Sequence, residues 1–241
     1  MSRAKLPALA TLLAALAAGA VLGETERVPT YEARYDVEYK GRRVGESVQR
    51  VVPGPDASTY RFESITSARG IARLLRPSPI VEESTFEIDA NGVRPLEFRI
   101  DDGTRKGDDD IAVDFDWDAG TARVVTSDGR ADVPLEPGVH DRATLQIALM
   151  LELEAGREPE RHDLIDDESV KHYTYEVDGN ETLETPSGTH ETIRVTQRRD
   201  GSSRYTIIWA APDLHHLPVK VEQRRDGETL TTLTLAAIDG L

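Results

Sequence analysis

The sequence predicts a mainly β, single-domain protein in which one strongly curved antiparallel sheet wraps one buried helix. Three observations lead there. From residue 31 onward, segments of alternating apolar and charged residues are separated by turns rich in Gly, Pro, Asn and Asp. They recur at intervals of about 8–12 residues, which reads as a sandwich or barrel. One stretch, between Asp141 and Gly156, has helical character instead. Its run Ile147 to Leu151 is apolar on every side, and a helix apolar all round is buried rather than laid on a surface.

The chain opens with a short basic start, Ser2-Arg3-Ala4-Lys5, followed by an Ala- and Leu-rich run from Leu6 to Leu22. Small residues then offer a cleavage site, at Val21-Leu22-Gly23 before Glu24 or at Ala18-Gly19-Ala20. That is the layout of a secretory signal peptide. The competing reading is a retained anchor, but a spanning helix needs about 20 apolar residues and Pro7 shortens this run. Residues 1–23 are therefore expected to be removed, leaving 24–241 as one periplasmic domain without a stable transmembrane anchor. The chain has no cysteine, which leaves no residue for lipid attachment through sulfur and no disulfide, so burial alone must hold the fold.

Tyr31, Ala33, Tyr35, Val37 and Tyr39 alternate with charged residues, so the first strand has one apolar and one charged face. Gly41-Arg42-Arg43 turns the chain, Val44 to Val52 returns, and Pro53-Gly54-Pro55-Asp56 turns it again. Ser58 to Thr66 is the third strand. The following Gly70 to Arg76 reads as a short helix or an apolar loop. Ile80 to Asp89 and Val93 to Ile100 form a hairpin about Ala90-Asn91-Gly92, because Asn and Gly tolerate positive φ. After a charged loop from Asp101 to Asp110, Ile111, Val113, Phe115 and Trp117 give the cleanest period of two, and Thr121 to Thr126 pairs back. Val133 to Leu135 adds a short piece. Asp141 caps the helix and Gly156 stops it. The remaining strands are Val170 to Val177, Glu181 to Thr185, Thr189 to Arg198, Arg204 to Ala210, Val219 to Gln223 and Leu230 to Leu235, with a turn expected at Asp178-Gly179-Asn180.

Charge and motif content exclude several functions. The net charge is −15, with 44 acids against 29 bases. Nucleic-acid affinity rests on Lys and Arg displacing counterions, so nucleic acid is not an expected partner, and the overall field repels an anionic membrane surface. The six histidines show no zinc spacing and there is no cysteine to join them, so no metal site is expected. Asp108-Asp109-Asp110 with Asp101-Asp102 lacks the ligand order of a calcium loop and reads as a solvated acidic loop. No Gly-x-Ser-x-Gly elbow and no phosphate-cradling glycine loop occurs. No catalytic residue and no cofactor is assigned, although acids are abundant enough for a carboxylate pair to hide among them.

Tyr35 to Gly41 followed by Val44-Gly45-Glu46, Val93-Arg94-Pro95-Leu96, and Trp209-Ala210-Ala211-Pro212-Asp213 with Leu217-Pro218-Val219 stand in one order along the chain. Together they resemble a family of exported bacterial envelope proteins, domain of unknown function 3108, over residues 30–236. The resemblance implies an exported, mostly antiparallel β protein. By fold analogy it implies an open or half-closed barrel like the carriers that shuttle lipoproteins to the outer membrane. It brings no reaction and no catalytic residue. Tyr35, Gly41, Gly45, Pro95, Trp209, Pro212, Leu217 and Pro218 are expected to be structural, with Trp209 a core anchor and Pro218 fixing the corner.

The functional expectation is a non-enzymatic binding or carrier module for an apolar or amphiphilic envelope ligand, a lipid for example. Ligand-lining candidates are Leu145, Leu149 and Leu153 on the helix, Ile71, Leu74 and Leu75 in the interruption, and the strand aromatics Phe115 and Trp117. The alternatives are an interaction protein that binds an envelope protein partner through its sheet, and a hydrolase using undetected carboxylates.

Overall fold

The computed structural model describes residues 28–89 and 92–241, except for the side chain of Leu75. The signal peptide expected at 1–23 and the Ala90-Asn91 pair of the predicted hairpin turn lie outside the described residues. The strands are β1 (Tyr31–Tyr39), β2 (Arg42–Pro53), β3 (Thr59–Ala68), β4 (Ile80–Asp89), β5 (Gly92–Asp101), β6 (Ile111–Asp116), β7 (Thr121–Thr126) and β8 (Gly129–Pro134). After them come β9 (Val139–His140), β10 (Arg161–Ile165), β11 (Val170–Thr185), β12 (Gly188–Arg199), β13 (Arg204–Ala211), β14 (Leu217–Arg225) and β15 (Glu228–Asp239). Two helices accompany them among the described residues, a four-residue α1 (Ala72–Leu75) and α2 (Arg142–Glu154).

The strands form a single 15-stranded sheet in the order β8-β7-β6-β5-β4-β3-β2-β1-β15-β14-β13-β12-β11-β10-β9. Two meanders are joined through the antiparallel β1–β15 pair. Their far ends, β8 and β9, are consecutive in sequence yet first and last in the ladder. This connectivity dictates curvature. Fifteen strands laid flat at normal spacing would separate the outer two by about 67 Å. Residues 135–138, which link β8 to β9, reach about 17 Å even when extended. The sheet must curl until its two ends approach each other. They do so without pairing, so the sheet is not closed, and β9 pairs instead in parallel with β10.

Packing records the same curl. Phe98, Val113, Ala122 and Val124, from strands near one end of the ladder, share a buried cluster with Val139 and Ile165 from β9 and β10 at the other. A larger cluster joins Tyr35, Phe62, Phe86 and Leu235 of the strands to Ala143, Ile147, Met150 and Leu151 of α2. On α2, the Asp141 carboxylate accepts from Thr144 N at 2.7 Å, and Thr144 Oγ1 accepts from Asp141 N at 2.8 Å. This reciprocal cap satisfies two helix-end donors. At the other end Gly156, at φ +66°, lets its N–H reach Leu153 O and brings Arg157 N to Glu152 O. That paired closure satisfies the last carbonyls and aims the outgoing chain.

One predicted turn is corrected. Asp178-Gly179-Asn180 does not reverse the chain; β11 runs through it with a register shift between Val177 and Gly179. Gly179 at φ +111° absorbs an extra residue as a bulge, a use of positive φ that the same residue types serve as readily as a turn.

The residues expected to be structural are placed as follows. Tyr35 Oη donates to Pro218 O at 2.9 Å in the core. Gly41 sits in the first hairpin at φ +71°. At Gly45 a Cβ would stand 2.5 Å from Ser67 O, so β2 and β3 approach too closely there for any other residue. Leu217 is fully buried, Pro212 begins a 3₁₀ turn over Pro212–Leu214, and Pro95 O accepts from Trp117 Nε1 at 2.7 Å. Trp209 is 5% exposed, donates through Nε1 to Glu181 Oε2 at 2.8 Å, and faces Lys220 Nζ at 4.6 Å from the ring centre.

Candidate functional site

Where the two ends of the ladder come together, they leave a cleft of about 670 Å³, open on one side. Its apolar wall is Val93 of β5, Trp117 after β6, Pro137 of the β8–β9 link, and Ala148 and Leu151 of α2. Its polar groups are Asp89, Arg94, His140, Glu152, Arg157, Arg161 and His162. The seam brings these together from segments far apart in sequence.

Each polar group is placed by its element. Trp117 is fixed by its bond to Pro95 O, and the Arg94 guanidinium carbon lies 5.4 Å from its ring centre. Arg94 Nε also donates to Glu87 Oε1 at 2.6 Å, and its Nη1 is 3.9 Å from Asp89 Oδ2. His162, on β10, places Nε2 2.9 Å from Glu152 Oε2, one turn from the end of α2. Its ring meets Tyr175 edge-on at 5.2 Å and lies 5.1 Å from the ring of His140. Arg161 Nε is 3.4 Å from Asp163 Oδ1. Arg157 is exposed and, among the described residues, makes no side-chain hydrogen bond or ion pair.

His140 is the unusual member. It is buried, and its Nδ1 has no hydrogen-bond partner among the described residues. Burial, reinforced by the neighbouring His162, pushes its pKa down to about 3, so the ring is neutral at ordinary pH. An unmade buried hydrogen bond costs about 1–3 kcal/mol. His140 borders the cleft, but its Nδ1 is closed to solvent, so the unmet hydrogen bond lies behind the wall and not at its surface.

The sequence-predicted lining residues are divided by the structure. Trp117 lines the cleft, and Phe115 packs with Phe98 and Val113 while bordering a shallow depression beside Trp117. Leu149 and Leu153 pack with Val195, Ile208 and Ala210, and Leu145 is buried away from the cleft. The α2 residues that reach the cleft are Ala148, Leu151 and Glu152. Ile71 and Leu74 stand in solvent, 82% and 83% exposed, rather than in a groove, and the side chain of Leu75 lies outside the described residues. A second, smaller hollow of about 290 Å³ lies by Val28, Met150 and His215. Beside it His215 and His216, both left-handed at φ +50° and +60°, bring Nδ1 atoms to 3.5 and 2.8 Å from the Glu154 carboxylate.

The acidic loop has its own bonding. Asp101, Asp102 and Asp110 come within 4.8 Å of one another. Asp102 accepts from Thr104 N, Thr104 Oγ1 and Asp109 N, while Asp110 Oδ1 accepts from Asp102 N at 2.9 Å. These carboxylates tie the loop together.

A family model for proteins of unknown function, DUF3108, matches residues 34–234. The chain belongs to the DUF3108 family. This DUF3108 protein shares its fold with a β-barrel-like protein of domain of unknown function DUF1849 from Brucella abortus, at 16% identity and a TM-score of 0.57. That match covers 89% of this chain and 99% of the other. Two solved structures overlap it more loosely. One is a Bacteroides fragilis protein with a YmcC-like fold (13% identity, 87% of this chain and 95% of that one, TM-score 0.36). The other is MucB (8% identity, 90% and 55%, TM-score 0.37). No curated protein matches the chain.

Proposed function

We propose that this DUF3108 protein is a non-enzymatic binding or carrier module of the cell envelope. In this reading it is exported to the periplasm, its sheet curls about the buried α2, and it holds an apolar or amphiphilic ligand in the seam cleft. The observation that carries the reading is the cleft itself. Its volume of about 670 Å³ falls in the range of small-molecule sites, about 300–1,000 Å³, and it joins one apolar wall to a few converging polar groups. Apolar area removed from water there contributes about 25 cal/mol per Å². Among the described residues no helix is long and apolar enough to cross a membrane.

The test is native mass spectrometry of the protein purified from a bacterial periplasm, followed by organic extraction. A discrete bound amphiphile is the expected result. An empty protein that takes up no lipid on incubation overturns the carrier reading. A second reading, docking of an envelope protein, draws on Ile71 and Leu74, which α1 holds in solvent. Crosslinking in the envelope through those positions tests it.

A further inference from the structure

The chain is acidic overall, with 44 acids against 29 bases, but the groups lining the seam cleft run the other way, with Arg94, Arg157 and Arg161 against Asp89 and Glu152. The cleft holds two carboxylates, and each faces a base: Asp89 lies near Arg94, and Glu152 meets His162. Arg161 is turned to Asp163 on its own strand. Arg157 is left over. The helix-ending closure at Gly156 delivers it to the cleft rim, where no described side chain pairs with it. Trp117, Val93 and Leu151 give the same cleft an apolar and aromatic surface.

We propose that the seam cleft selects an amphiphile with an anionic headgroup, a carboxylate or phosphate held by Arg157, its chain lying on Trp117, Val93 and Leu151. This rests on the binding-module reading and adds the ligand's chemistry to it. A guanidinium pairs with either anion through charge-assisted hydrogen bonds, stronger than neutral ones.

The experiment titrates the purified protein by calorimetry at low salt with dodecanoate, dodecyl phosphate, dodecanol and dodecyltrimethylammonium, each below its micelle concentration. At least one anionic probe is expected to bind about tenfold more tightly than dodecanol, a difference of about 1.4 kcal/mol. Whether dodecanoate or dodecyl phosphate is the tighter of the two identifies the headgroup. Arg157→Gln is expected to bring that preference down to within about threefold of dodecanol. Arg34→Gln on β1, the middle strand of the ladder, makes the same charge change far from either end and should leave the preference intact. Arg157 is exposed, so its variant should keep the wild-type melting temperature. Equal binding of all four probes, or tightest binding of the cation, overturns the anionic selection while the amphiphile reading stands. An anionic preference unchanged in Arg157→Gln overturns the assignment to this residue. No binding of any probe overturns both.

Discussion

Glu82 of β4 lies near the N-terminus of α2, close to Asp141, Arg142 and Asp166, and burial pushes its pKa up to about 7 from an ordinary 4.5. The Arg142 charge pulls the other way, while Asp141 and Asp166 add to the rise. A carboxyl whose folded pKa is raised stabilises the fold fully below its unfolded value, and this contribution is lost as pH climbs through the folded one. The window is therefore about pH 4.5 to 7. At about 1.36 kcal/mol per pH unit, the loss across it amounts to about 3 kcal/mol, an upper figure because the side chain keeps partial exposure. Glu82→Gln removes the titration and keeps the shape. Urea denaturation of wild type and variant, followed by tryptophan fluorescence at pH 4.5, 5.5, 6.5 and 8, isolates the residue by difference. The variant should gain on wild type steadily as pH rises, by up to about 3 kcal/mol between the extremes. Parallel stability curves would refute the reasoning, since the carboxyl would then be as solvated in the fold as in the unfolded chain.

Trp209→Ala should cost about 3–5 kcal/mol in the same denaturation assay, because it empties a buried indole site and strands Glu181 and Lys220. Tyr35→Phe removes one buried hydrogen bond to Pro218 O and should cost about 1 kcal/mol, with the fold's circular dichroism unchanged. Gly45→Ala forces a methyl into contact with Ser67 O, so its melting temperature should fall even though alanine usually stabilises a strand more than glycine does. For His140 the sign is opposite to that of Glu82. Its folded pKa is depressed, so its contribution is complete above about pH 6.5 and is lost as pH falls toward 3. His140→Phe should lose that acid sensitivity, read as a smaller drop in urea midpoint between pH 6.5 and 4.5.

Much of this fold is visible in local pattern. Val113 to Asp116 alternates in burial as it alternates in polarity, because a half-buried strand leaves little choice. The helix declared itself at both ends, through the Asp141 side chain and the positive φ that Gly156 permits. The site did not. Ile147 to Leu151 is apolar all round, so nothing in it separates the Leu149–Leu153 stripe, packed on β12 and β13, from the Ala148–Leu151 stripe that reaches the cleft. Val139–His140 is a two-residue strand, too short for any period, and its parallel partner β10 lies beyond the helix. Arg157 follows a helix stop like any solvent-exposed residue. What gives it meaning is the cleft next to it, and the cleft exists only once the sheet has curled.

The curl itself could have been deduced from connectivity before any side chain was placed. A ladder whose first and last strands are joined by four residues has to bend back on itself, and those ends either pair or leave a seam. Pairing would close a barrel and spend the edge hydrogen bonds on each other. Here β9 is only two residues long and pairs with β10, which leaves β8 without a partner across the gap. α2 and the chain leaving Gly156 border the gap between these two edges. Strand ends and helix ends carry unpaired backbone and polar side chains, while the inner face of the sheet is apolar. A seam of this kind is amphiphilic by construction, and this is the physical reason to look for the ligand there rather than in the filled core beneath Leu149 and Leu153.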